Sequence, residues 1–285
     1  MTPKAYHPRR RKPRAGLWTG QIITTLAAVL FLIPLYIIFN YSFKTKRELY
    51  LSNPLAPAQS LNWSNYETAF NKLNLDVTML NSLLYTVASV ILLAILCSAA
   101  AWAISRGKKK IFKISYIYFI IGILIPAQAL FLPIYTVGIS LGLNNTRVGI
   151  IFIFIASNLS FGIFLMNSFM TTIPLEIEES ARIDGCSIYR VFFNIVLPLL
   201  KPAMATLIIL LAFGIWNDYL MSSIYLSSRN LIPITVGIRS LFSTQASDYT
   251  TAFAAIVLCA VPIIILFVAL QKYFIKGMTV GAVKG

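Results

Sequence analysis

Six long apolar runs, at 17–40, 79–104, 114–139, 149–170, 203–226 and 252–274, constrain this 285-residue chain more than any other feature. Each is long enough to cross about 30 Å of hydrocarbon as a helix. Lipid offers the backbone no hydrogen-bond partner, so such runs must close their N–H and C=O groups within themselves. The sequence is 58% hydrophobic and 12% charged, whereas soluble domains carry about 25% charged residues. The expected fold is therefore all-α, a polytopic membrane protein of six transmembrane helices. The first run follows a basic segment but lacks a small-residue cleavage pattern, so it is read as a retained span rather than a signal peptide. Pro34, Pro126, Pro133 and Pro262 lie inside the runs and imply kinks whose freed carbonyls need neighbouring helices.

The charge of +15 is topological rather than a nucleic-acid footprint, because the basic residues cluster beside apolar runs and are not interleaved with aromatics. One set of alternate loops holds 17 of the 24 Lys and Arg residues. It comprises the N-terminal tail, the loop with Arg106, Lys108, Lys109 and Lys110, the region with Arg182, Arg190 and Lys201, and the C-terminal tail. Both termini are thereby expected in the cytoplasm, with segments 41–78 and 227–251 facing outward. The string "RGKKK" at 106–110 reads as a solvated topology signal. Cys97, Cys186 and Cys259 are widely spaced, and His7 is the single histidine, so neither a disulfide framework nor a metal site is expected. The chain divides into a basic tail (1–16), a first span with its outer segment (17–78), a core of five spans (79–275, with a polar loop at about 174–202) and a C-terminal tail (276–285).

That polar loop is anomalous. Of nine acidic residues, four (Glu176, Glu178, Glu179 and Asp184) fall within nine positions. Pro174 suits the first turn of a helix, and the glutamates suit the positive end of its dipole. Gly185 should end that helix by taking positive φ, and Ser187 can cap a second short helix running toward Pro198. A helix, turn, helix that is polar in front and apolar behind needs a groove to sit in. The competing reading, an amphipathic hairpin on the inner leaflet, fits poorly because anionic lipid attracts cationic helices, and the leading half is acidic.

The order Glu179, Ala181, Gly185, Ile195, Leu197, Pro198 resembles the cytoplasmic EAA loop of ABC importer permeases: E-A-A, three residues, G, nine residues, I-x-L-P. Ser180 at the first alanine is the one departure. "ARIDG" at 181–185, "VLPLLKPA" at 196–203, "WNDYL" at 216–220 and "GMTVGAVKG" at 277–285 resemble the maltose-type carbohydrate-uptake permeases. The resemblance implies a subunit without chemistry of its own. It would pair with a second homologous permease, dock two cytoplasmic ATPases that hold ATP and Mg, and receive sugar from an extracytoplasmic binding protein. Glu179, Ser180, Ala181, Asp184, Gly185, Ile195, Leu197 and Pro198 would then form the ATPase coupling element. The absence of G-x-x-x-x-G-K-[ST] agrees, since such a chain must borrow its energy.

Polar residues within the apolar runs, Gln128, Asn158, Ser160, Asn217 and Asp218, are candidates for the sugar pathway; interhelical hydrogen bonding is the alternative for each. Segment 227–251 is long for a helix connection yet retains apolar residues. Ile234, Arg239 and Phe242 are the candidate binding-protein contacts, unless the segment folds back over the bundle. The C-terminal tail is expected to reach the ATPases. A self-contained secondary transporter or channel is the other class, but it would need ionisable residues within its spans, where only Asp218 stands.

Overall fold

Most of the backbone in the apolar runs is paired within helices. The computed structural model describes residues 14–242 and 248–282, and among these all regular structure is helical. The N-terminal basic segment with His7, residues 243–247 and the last three residues of the C-terminal tail lie outside the described residues. In chain order the helices are α1 (Arg14–Phe43), α2 (Lys46–Leu51), α3 (Ser64–Leu73), α4 (Leu75–Arg106), α5 (Lys110–Leu124), α6 (Phe131–Ser140) and α7 (Arg147–Met170). They continue with α8 (Leu175–Ile183), α9 (Ile188–Val191), α10 (Leu197–Leu199), α11 (Lys201–Trp216), α12 (Leu220–Tyr225), α13 (Ile234–Ser240) and α14 (Tyr249–Ala282). Four of them, α1, α4, α7 and α14, are long and apolar enough to span a membrane, and two bent pairs bring the number to as many as six.

One bent pair and one helix restart correct two of the expected spans; the other bent pair, residues 188–199 with α11 at 75°, lies at the entry to run 203–226. Run 114–139 is not one helix: α5 ends, Ile125 and Pro126 are extended (ψ 122° and 127°), and the chain turns by 97° into the 3-10 turn Ala127–Leu130 and α6. Proline offers no N–H and pushes the residue before it out of the helical region, which accounts for the break. Run 203–226 ends as a helix at Trp216 and restarts at Leu220. The Asp218 carboxylate accepts from the Ser222 N–H (2.9 Å) and Oγ (2.8 Å), so it caps α12 as a new helix. Pro34 and Pro262 sit inside continuous helices. The helix of the last run continues to Ala282, into what the sequence marks as a tail.

α4 packs along α7, and α11 packs on α14 and α4. At the α4–α7 crossing, a Cβ on Gly162 would lie 2.4 Å from Cys97 Sγ, so glycine sets the helix separation there. Buried Leu93, Cys97, Ile163, Met166, Leu207 and Leu211 fill the centre. A second cluster, with Ala69, Leu73, Trp216, Ile234 and Ala255, ties α3, α11, α13 and α14 together at one end. There the segment after α1 is a folded cap: Asn65 donates to the Ser42 and Lys44 carbonyls (2.9 Å each), and buried Lys44 donates to Ser52 Oγ and the Asn53 carbonyl. α1 stays exposed along its apolar length, as a lipid-facing helix should.

Candidate coupling loop and transport cavity

The polar loop folds as its residues dictate. α8 begins just after Pro174 with Glu176 and Glu178 in its first turn. It closes with Gly185 at φ +83°, the Gly185 N–H bonded to the Arg182 carbonyl (3.1 Å) and the Cys186 N–H to the Ala181 carbonyl (3.0 Å). These two bonds define a Schellman motif, which needs a left-handed residue where only glycine is unstrained. Ser187 Oγ then accepts from the Arg190 N–H and caps α9. Residues Phe192–Val196 form a π-helical turn in which the Leu197 N–H reaches back to the Phe192 carbonyl. Pro198 follows, and its missing N–H suits that widened turn.

Glu179, Ser180, Asp184, Gly185 and Pro198 face outward, whereas Ala181 is buried and Ile195 and Leu197 pack against the core. The inward set therefore seats the loop, and the outward set is free for a partner. Ile183 (86% exposed) and Tyr189 (75% exposed) flank the turn with Ile188 and Phe193 also exposed. Sequence reasoning missed these apolar residues, although an isoleucine solvated at the end of an acidic helix is a legible signal of a docking surface.

Glu178, next to exposed Glu179, is buried, 1% exposed. Its Oε2 accepts from Trp102 Nε1 and its Oε1 from Arg106 Nε, both at 2.8 Å. Arg106 Nη2 also donates to the Ile173 carbonyl (2.8 Å). Arg106 thus leaves the solvated basic stretch to which the sequence assigns it; Lys108, Lys109 and Lys110 remain exposed. A one-residue step along a helix rotates about 100°, which is why adjacent glutamates point to opposite surroundings.

A cavity of about 1030 Å³ opens among α5, α6, α7, α11 and α12. Asn158, Ser160, Asn217 and Asp218 all line it, together with Ser157 and the aromatic residues Phe131, Phe152, Phe161, Tyr219 and Tyr225. Gln128 lies in the 3-10 turn beside lining residues Pro126 and Leu130 but is not itself part of the wall. Asn158 and Asn217 use their Nδ2 groups on the Phe154 and Phe213 carbonyls (2.8 Å each), which aims each amide by tethering it to its own helix. Asp218 is committed to capping α12, so its part in the wall is mainly structural.

At the capped end, Ile234 is fully buried, and its N–H donates to Ser82 Oγ (2.9 Å). It cannot meet a partner as a surface contact; it anchors a segment folded back over the bundle. Arg239 is exposed, and Phe242 is half-buried against Tyr249, with ring centroids 5.9 Å apart.

Long apolar helices, broken helices around a polar-flecked cavity and a projecting helix pair make this a polytopic helical membrane protein. The chain belongs to the family described as binding-protein-dependent transport system inner membrane components, whose model matches residues 90–280. It is 36% identical over 269 residues to the melibiose/raffinose/stachyose import permease protein MelC of Bacillus subtilis (strain 168), covering 93% of this chain and 97% of that one. The probable starch degradation products transport system permease protein AmyC of Thermoanaerobacterium thermosulfurigenes is 35% identical, covering 92% and 96%. The fold matches a crystal structure of a bacterial ABC transporter involved in import of the acidic polysaccharide alginate, with TM-score 0.82 and 24% identity over 95% of this chain and 100% of that chain.

Proposed function

We propose that this chain is a permease subunit of an ATP-driven carbohydrate importer. It pairs with a second homologous permease to enclose the pathway, receives sugar from an extracytoplasmic binding protein, and takes its energy from two cytoplasmic ATPases that hold the ATP and Mg. The observation that carries this reading is the projecting pair α8 and α9, which offers Glu179, Asp184, Ile183 and Tyr189 outward on a Schellman turn while its inner face is packed into the bundle. A rigid, half-buried element of this kind fits a lever pushed by a closing partner. Glu179 is the grip, set against a basic residue of the partner cleft, and the termini lie on the same cytoplasmic side. The C-terminal tail reaches the same partner.

The sugar class rests on the relatives' names and on the amide, hydroxyl and aromatic character of the cavity wall, which matches polyol recognition. Arg239 and Phe242 face the binding protein in this scheme. The test is uptake of raffinose and starch-derived oligosaccharides by the reconstituted complex. ATP-dependent accumulation is expected in the parent, and Gly185→Val or Glu179→Ala should abolish sugar moved per ATP. Normal coupling in both variants would refute the assignment.

A further inference from the structure

α4 is held at both of its ends by side-chain bonds to distant parts of the chain. At one end Trp102 and Arg106, one helical turn apart, place three 2.8 Å hydrogen bonds on Glu178 and Ile173. The Trp102 ring also rests on Phe192, with centroids 5.2 Å apart, so both halves of the loop meet the same turn of α4. At the other end Asn81 Nδ2 donates to the Asn230 (2.9 Å) and Ile232 (3.2 Å) carbonyls, and Tyr85 Oη to the Leu231 carbonyl (2.7 Å). Ser82 Oγ accepts from the Ile234 N–H, completing the hold on residues 230–234.

Between these grips α4 is one unbroken helix with neither glycine nor proline. At about 1.5 Å per residue the grips stand roughly 30–35 Å apart. A helix without such residues lacks the usual causes of a kink, so it passes a displacement along its length instead of absorbing it. A single bond at Glu178 would let α8 pivot; bonds to two acceptor sites, one on Ile173 just before α8 and one within it, do not. An apolar pair would hold the loop at lower desolvation cost, so the charges point to a need for fixed orientation.

We propose that Glu178, Arg106 and Trp102 are positioning residues that lock the coupling helix to α4, and that α4 carries its movement to residues 230–241 on the opposite face. This rests on the reading of α8 and α9 as the ATPase-docking element.

The test uses the complete complex in nanodiscs, with hydrogen–deuterium exchange of peptides spanning 226–241 measured with and without Mg-ATP and vanadate. ATP hydrolysis is followed in parallel. In the parent, ATP should change exchange in that segment. Glu178→Gln and Arg106→Gln should still bind ATPase and hydrolyse ATP, yet reduce the exchange response at least about fivefold, the low end of ordinary coupling between sites. The double variant leaves no unpaired charge and should be no worse than either single, because both remove one shared interaction. Arg106→Lys, which keeps the charge but cannot reproduce the guanidinium's two bonds, should show a smaller loss of the same kind. A full-sized response in Glu178→Gln or in the double variant overturns the proposal, as does a parent segment that ignores ATP. If Gly185→Val and Glu179→Ala couple normally, the docking reading itself falls. If those two uncouple while Glu178→Gln responds in full, only the clamp falls.

Discussion

Gly185 shows how one residue sets the geometry of the loop. Its φ of +83° is strained for any side chain, although a Cβ there would meet nothing within 4 Å. Gly185→Val should therefore cost about 1–2 kcal/mol through backbone alone, while Gly185→Asn, which tolerates the left-handed region, should cost less. Pull-down of the ATPase by detergent-solubilised complexes would rank them: parent, Asn, then Val. Glu178 is the inward counterpart. Glu178→Leu leaves Arg106, only 18% exposed in its side chain, without its carboxylate, and should destabilise by about 3 kcal/mol or more. Removing both partners as Glu178→Leu with Arg106→Met should be close to neutral for stability. Thermal aggregation of the purified subunit pair checks this, and a double variant as unstable as the single would contradict it.

Between elements, the α4–α7 contact depends on Gly162 lying against Cys97. Gly162→Val should overpack this crossing and destabilise by about 1–3 kcal/mol, relieved in part by Cys97→Ala; melting of the detergent-solubilised protein would show both. At the capped end, Asp248 joins α3 and α14 by accepting from Lys72 Nζ at 2.6 Å, with Lys46 3.5 Å away. Burial alone would raise its pKa, but hydrogen bonds from Lys72 and Thr251 and the Lys46 and Lys72 charges outweigh it and hold the carboxyl below its ordinary 3.8. A depressed carboxylate stabilises the fold above its unfolded value and loses that contribution as pH falls through the folded one. The melting temperature of the purified protein should thus carry a contribution from this contact that is level above 3.8 and lost below it. Asp248→Asn should melt lower at neutral pH and lack that acid-dependent step. High salt should weaken the contact as well, because both lysines are largely exposed.

For the whole molecule, α8, α9 and the ends of α4 and α7 gather at one end of the bundle, and α2, α3 and α13 at the other. In a Cys186→Ala background, Ser187→Cys should react with an impermeant maleimide only after cells are opened. Labelling from outside intact cells would invert the proposed orientation.

The sequence by itself determined the class of fold, since runs of about 20 apolar residues leave a backbone in lipid no choice but helix. It also determined the turn at Gly185 and the cap at Ser187, because both are local: each depends on residues within a few positions. Asn158, Ser160, Asn217 and Asp218 stand out in it as polar exceptions, and in the structure all four line one cavity. Only the tertiary structure decided which adjacent glutamate turns inward, since that depends on Trp102 and Arg106, more than seventy residues earlier. It likewise decided that Ile234 is buried and that runs 114–139 and 203–226 are broken. Apolar composition is the same for a lipid-facing, a core-facing and a cavity-lining helix, so hydropathy cannot distinguish them. What separates them is the neighbour each side chain meets, and that is set by packing across the whole chain.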